Sequence, residues 1–328
     1  MIVSFCDCVG SAFSAPGFRR DDGPKNCDCD WGCDYDYDND YDNDNDYDND
    51  YDNDNDNDND YDNDDPMIPI SESVMLIFIV AAGLCIGSFL NVCIYRLPRE
   101  ESIVFPKSHC PGCGNPLKWY DNIPLIGFAL LRARCRHCNR PISFRYPLVE
   151  LLGAGFCLGI YLRYGVSPSF FVVYAFVCGL IVITFIDIDH RIIPDVISLP
   201  FILIGLATGW LIPGMRFLDS LYGVLLGGGI LYGIAWGYEA LAKREGMGGG
   251  DIKLLAMIGA FVGWKGVILT LFVASVIGTI VGAAIALRQK ADLKLAIPFG
   301  PFLAIGALCH VFYGPMLIEW YLGGRWGW

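Results

Sequence analysis

Charge is scarce in this 328-residue chain: 18% of residues are charged against 54% hydrophobic, too little to clothe a soluble surface. A soluble globular enzyme is excluded. Bases are scarcest at the start, where residues 1–66 hold only Arg19, Arg20 and Lys25 against 22 of the 36 acids, a net of −19. Residues 67–328 hold 20 bases and 14 acids, a net of +6, so the overall −13 describes the first segment alone. An acidic protein that gathers basic partners over its whole surface is therefore excluded as well. No basic region followed by an apolar stretch opens the chain, so residues 1–20 are not expected to act as a secretory signal. The Asp, Asn and Tyr alternation of 35–64 lacks the glycine and glutamate that a calcium loop needs at its sixth and twelfth positions. With no apolar group in 35–64 able to form a core except scattered tyrosines, 1–66 is predicted to be a disordered, solvated tail, and Met67 offers an alternative translation start. The tail holds five cysteines, Cys6, Cys8, Cys27, Cys29 and Cys33, an odd number that would leave one thiol unpaired.

What the chain has after Pro66 is apolar length. Runs near the ~20 residues a helix needs to cross a bilayer lie at 74–95, 169–186, 220–238, 267–287 and 298–322. Two more lie at 148–164, with Glu150 near one end, and at 196–211. The shortest, 252–263, has 12 residues, and at ~1.5 Å per residue it reaches about 18 Å, less than the ~30 Å hydrocarbon core. The pattern predicts an all-α polytopic membrane protein of about eight transmembrane helices. Placing the loop after the first span inside puts 16 Lys and Arg on the cytoplasmic side and four outside, a division that takes 252–263 as a true crossing.

Nine cysteines follow the tail. Cys85, Cys93, Cys157, Cys178 and Cys309 sit singly in apolar runs and read as small buried hydrophobes. The other four form two CxxC knuckles, Cys110-Pro-Gly-Cys113 and Cys135-Arg-His-Cys138, with 21 residues between them. Disulfides are disfavoured in a reducing cytoplasm, whereas four thiolates converging on zinc are stable and leave no open coordination position. The zinc is therefore predicted to be structural, with Arg132, Arg134 and Arg136 offsetting its thiolate charge and His109 and His137 as substitute ligands. No glycine-rich strand-to-helix fingerprint for a nucleotide-like cofactor occurs in 95–147, and no nucleic-acid partner is expected.

Ionisable groups at the membrane edge are costly and usually functional. The run 169–186 leads into Asp187, Asp189 and Asp195, and the short run opens at Gly248-Gly249-Gly250-Asp251. In the expected topology both acidic sites emerge at one face, 64 residues apart in sequence. Two adjacent carboxylates cannot both ionise cheaply, so one keeps a proton while the other acts as base on a water, as in aspartic proteases. The other reading makes Asp187 and Asp251 helix caps. Asn91 and Arg96 stand at the membrane end of the cysteine loop, where they position a polar ligand or anchor the helix.

These motifs together resemble the type IV prepilin leader peptidases, GxGD-type membrane aspartyl proteases. The resemblance rests on Gly87-Ser88-Phe89-Leu90-Asn91-Val92, Tyr95-Arg96-Leu97-Pro98, the two knuckles, the Asp187 to Asp195 stretch and Gly248-Gly249-Gly250-Asp251-Ile252-Lys253. It covers Ser73 to the C-terminus; the acidic tail departs from the family pattern. It implies a bacterial inner-membrane enzyme facing the cytoplasm, with Asp187 and Asp251 catalytic and Asp189 and Asp195 not. The substrates implied are basic leaders of type IV prepilins or pseudopilins, beside membrane lipid. It also implies methylation of the new N-terminus with S-adenosylmethionine. The expected domains are the tail 1–66, a first transmembrane helix in 67–95, a zinc domain in 96–147 and a transmembrane peptidase domain in 148–328. A noncatalytic assembly factor of a pilus or secretion system and a transporter using the two acids are the rival readings; transport would need acids spread through the bilayer depth.

Overall fold

Long apolar runs leave their backbone no water to bond, so each N–H must be satisfied within its own segment, and helices do this. A computed structural model describes residues 70–105, 108–242, 248–289 and 298–322; the predicted tail lies outside them. Among these residues there are eight α-helices and no strands. In chain order they are α1 (Ile70–Arg96), α2 (Ile126–Leu130), α3 (Arg145–Tyr164), α4 (Pro168–His190), α5 (Asp195–Thr208), α6 (Phe217–Ala242), α7 (Gly249–Gln289) and α8 (Gly300–Leu322).

Local chemistry sets the helix ends. At the start of α4 Ser167 accepts the Phe170 N–H at 3.3 Å, with Pro168 in the first helical position, where its missing N–H costs nothing. At its end Arg191 turns left-handed, φ 55°, and returns its N–H to the Asp187 carbonyl at 2.9 Å. Pro194 then forbids continuation and α5 begins at Asp195.

Gly263 divides α7. Its φ of 69° and ψ of 178° lie outside the helical region, in backbone space that only glycine enters cheaply. The contacts show that the two arms run in opposite directions. Arm 249–262 packs antiparallel to α6, with Gly259 against Gly223 and Leu255 against Gly227, until Gly263 reaches Asp219. Arm 264–289 returns along α8, with Gly266 beside His310, Thr270 beside Gly306 and Gly278 beside Phe302. The bundle therefore has eight long arms, and the runs at 252–263 and 267–287 fall one in each arm of α7.

The short arm is also the most enclosed: Leu254, Leu255, Met257, Ile258 and Ala260 are all fully buried. Phe261 stacks on Phe176 of α4 with centroids 4.5 Å apart. A helix surrounded by protein need not match the bilayer thickness, which explains how so short a run is accommodated. Among the described residues four helices are long and apolar enough to cross a membrane, Glu72–Arg99, Pro168–His190, Phe217–Leu241 and Gly249–Leu287. Asp195–Leu211 and Gly300–Gly314 are shorter apolar helices.

Close seams hold the arms together. A Cβ on Gly87 would stand 2.7 Å from Glu150 Cα, so α1 and α3 meet almost backbone to backbone. Glycines at four-residue spacing do not by themselves make such a seam: a Cβ on Gly278, four residues before Gly282, would make an ordinary contact with Phe302 at 3.5 Å. Of the single cysteines, Cys93 and Cys157 are buried and Cys178 and Cys309 partly so, but Cys85 is exposed on the outer side of α1, against expectation.

Candidate active site

Antiparallel packing brings several helix ends to one end of the bundle. They are the C-terminal ends of α1 and α4 and the N-terminal ends of α3, α5, α7 and α8. Asp187, in the last turn of α4, is buried with 5% of its surface exposed. Asp251, in the first turn of α7, is half-buried and lies within electrostatic reach of Asp187. Of the triple glycine before Asp251 only Gly250 is packed: it lies against Ile193 in the turn before α5, where a Cβ would stand 3.0 Å from the isoleucine Cβ, while Gly248 and Gly249 have open space.

Asp189 and Asp195 are engaged elsewhere. Asp189 pairs with Arg145, whose guanidinium also donates to the Phe185 carbonyl at 2.7 Å and lies over the Phe185 ring at 4.7 Å. Asp195 accepts from Lys253 Nζ at 2.8 and 2.7 Å, joining α5 to α7 two residues past Asp251. Asp195 is not a cap: Pro194 occupies the N-cap of α5 and no side chain caps this helix.

The cysteine loop hangs from the same end of the bundle. Its two knuckles repeat one design, in which Cys110 N–H bonds the Asn115 carbonyl at 2.9 Å and Cys135 N–H bonds the Arg140 carbonyl at 2.9 Å. Gly114 and Asn139 take positive φ at equivalent places, and the bridges His109 to Pro116 and Arg134 to Pro141 close each knuckle. All four sulfurs lie within 4.8 Å of one another, and Cys110 Sγ is 3.8 Å from Cys138 Sγ. A zinc tetrahedron with bonds of ~2.3 Å requires sulfurs about 3.8 Å apart, so the donor set fits zinc. Backbone N–H groups of Cys138 and His137 pull the Cys135 thiol down to about 6. The Arg140 N–H acts on Cys138 in the same sense, but burial and the neighbouring sulfurs outweigh it and push that thiol up to about 11. A cation is what would hold four thiolates together at this spacing. Of the three arginines read as offsetting charge, Arg136 is spent on Asp121, with Nη2 to Oδ1 at 2.6 Å.

Asn91 and Arg96 are structural ties. Asn91 Nδ2 donates to the Tyr146 carbonyl at 3.1 Å, fastening α1 to α3, and buried Arg96 donates to the Ser102 carbonyl at 2.8 Å.

The profile of the Bacterial Peptidase A24 N-terminal domain matches residues 81–164, and that of the Type IV leader peptidase family matches residues 174–283. A prepilin leader peptidase/N-methyltransferase of Aeromonas hydrophila is 36% identical over 266 residues, which is 73% of this chain and 91% of the relative. The chain belongs to the type IV leader peptidase family. The like-named protein of Xanthomonas campestris pv. campestris is 35% identical, covering 73% of this chain and 92% of its own. That of Myxococcus xanthus is 41% identical over 63% of this chain and 62% of its own. No solved structure matches. In this leader peptidase family member the first match spans the four cysteines and the second spans both Asp187 and Asp251.

One site residue escaped sequence reading. The Gly300 N–H, at the first residue of α8, donates to Asp187 Oδ2 at 3.0 Å, and a Cβ there would stand 2.6 Å from the same oxygen. Pro298-Phe299-Gly300-Pro301 reads as an ordinary start to an apolar run. The glycine between two near-adjacent prolines was the only signal.

Proposed function

We propose that this chain is a polytopic aspartyl endopeptidase of the bacterial inner membrane that removes basic leaders from type IV prepilins or pseudopilins. Its dyad is Asp187 and Asp251. The observation that carries the reading is the placement of two carboxylates within electrostatic reach of each other, from helix ends 64 residues apart, at one polar end of an apolar bundle. One carboxylate takes a proton from a water while the water oxygen bonds the scissile carbonyl carbon. The carbonyl oxygen takes the proton of the other carboxyl, giving a gem-diol. As the C–N bond breaks, the first acid returns its proton to the departing amine, and the diol gives one back to the second. Both acids then stand as they began. A basic leader fits a site on the positive-inside face, and the apolar helix that follows it stays in the bilayer.

All eight arms are assigned as membrane crossings, the zinc domain 96–147 as cytoplasmic and 148–328 as the peptidase domain. Cys110, Cys113, Cys135 and Cys138 hold zinc, which supplies a cross-link between the knuckles and no chemistry of the cleavage. The N-methyltransferase in the relatives' names supports a second activity with S-adenosylmethionine. Residues 97–144 hold no glycine-rich strand-to-helix turn among the described residues, so no residue is assigned to that cofactor and no step is drawn through it.

Co-expression with a prepilin and measurement of the N-terminal mass of the product tests both activities. Loss of the leader mass is expected, with one added methyl if methylation occurs. An intact leader beside a folded enzyme overturns the reading in favour of a noncatalytic assembly factor.

A further inference from the structure

Two carboxylates sharing one proton need not be equivalent. Asp187 Oδ2 receives the Gly300 N–H at 3.0 Å. That N–H is one of the donors left unsatisfied at the start of the 23-residue helix α8, whose aligned peptides place partial positive charge at this end. Arg191, four residues on, adds a positive charge within electrostatic reach. Hydrogen bonding to a carboxylate favours its ionised form, and bonds to charged groups are the strong ones. Asp251 also stands at a helix N-terminus, in the first turn of α7, so the dipoles alone do not separate the two acids. The difference is the direct bond, since among the described residues no donor reaches the Asp251 carboxylate, whose electrostatic neighbour is Asp187.

Several of the other charged groups at this end are paired, while His190, in the same last turn of α4 as Asp187, is exposed. On α4 Asp189 faces Arg145 of α3, on α1 Arg96 bonds the Ser102 carbonyl, and between α5 and α7 Asp195 faces Lys253. The only histidine with a described position in α8, His310, lies ten residues further along, beside Gly266 and Gly314.

We infer that the dyad is built asymmetric: Asp187, held by the N-terminus of α8, is the carboxylate that takes the proton from water, and Asp251 is the carboxyl that donates to the peptide oxygen. Gly300 is the positioning residue that sets this order. The assignment rests on the proposed dyad and goes beyond it. It also explains the glycine, since any Cβ at 300 would displace the oxygen it serves.

The order has a signature in the pH dependence of kcat/KM. The active form carries one proton, so the acidic limb reports loss of the first proton and the alkaline limb loss of the second. If Asp187 ionises first, it is ionised both in the active form and in the form that has lost both protons. Removing the Gly300 donor then moves the acidic limb to higher pH and leaves the alkaline limb alone. If Asp251 ionises first, Asp187 gives up the second proton and the alkaline limb moves instead.

The test replaces Gly300 with glycolic acid by cell-free translation into lipid nanodiscs, which exchanges one N–H for an ester oxygen and adds no atom bulk. Cleavage of a prepilin is followed across pH. An acidic limb raised by about one to two pH units is expected, the equivalent of one charge-assisted hydrogen bond. An unmoved profile, or a shift confined to the alkaline limb, overturns the assignment. Gly300→Ala is the second variant, because its Cβ pushes the carboxylate off the N–H. It should lower kcat by about tenfold or more with KM little changed and move the same limb; a loss confined to KM counts against the proposal. Asp187→Asn and Asp251→Asn are run beside them: if both still cleave, it is the dyad that fails and not its order.

Discussion

At the scale of single residues, the two acids of the dyad and their two neighbours separate cleanly. Asp187→Asn and Asp251→Asn should each lower prepilin cleavage by about 10²- to 10⁴-fold, since an amide of the same volume can neither carry the shared proton nor take one from water. Asp189→Asn and Asp195→Asn should stay within a few-fold of the parent. Their carboxylates are 37% and 53% exposed and serve ion pairs worth about 0–1 kcal/mol. Purified variants assayed in detergent at matched melting temperature check this, and an inactive Asp189→Asn beside an active Asp187→Asn would show the first acid misassigned. The acids were legible because an ionisable group ending an apolar run is costly enough to need a reason. Gly300 was not, because its role is a contact across 113 residues that no local pattern encodes. Arg145 escaped for a similar reason: its partner Asp189 lies 44 residues on, at the end of another helix.

Among the elements, knuckles and seams carry the tests. Cys135→Ser should reduce bound zinc from one per chain to none and speed proteolysis of the cysteine loop, while the peptidase acids stay in place; elemental analysis of protein purified without chelator checks the first point. Failure to find zinc in the parent would contradict the metal assignment outright. The knuckles were readable because zinc demands one donor type at close spacing, which the sequence shows directly. The seam positions are not marked in the sequence in this way. Glycine is frequent throughout these helices, and which face each one presents depends on the partner helix. The seam that forms uses Gly223 and Gly259, backbone against backbone, and of 227–229 only Gly227 needs to be glycine. Gly223→Ala should therefore cost about 1–3 kcal/mol by forcing α6 off α7, seen as a lower melting temperature in detergent, whereas Gly229→Ala, with open space around it, should be neutral.

For the whole molecule, the outstanding question is which way each arm faces, and α7 decides it. Counting bases favours one orientation, but a 12-residue run at 252–263 is short for a crossing. Packing supplies the better argument. Asp251 at the start of α7 and Gly300 at the start of α8 both approach Asp187, so the chain between them must leave that end of the bundle and return to it. The reversal is at Gly263, beside Asp219 at the start of α6. Residue 265 then belongs with 163–167 and 212–216 at the far end, opposite the cysteine loop. Lys265→Cys and Gly214→Cys should both react with a membrane-impermeant thiol reagent added outside intact cells, above the labelling of the parent chain, and Ser102→Cys should react only after lysis. Labelling of Lys265→Cys only after lysis would make 249–262 a re-entrant arm and undo the eight-crossing topology. Gly263→Ala separates geometry from topology: a side chain at φ 69° and ψ 178° costs about 1–3 kcal/mol. It should lower the melting temperature while leaving the labelling pattern of the chain that still folds unchanged, because the reversal is fixed by the packing of both arms and the glycine only removes its strain.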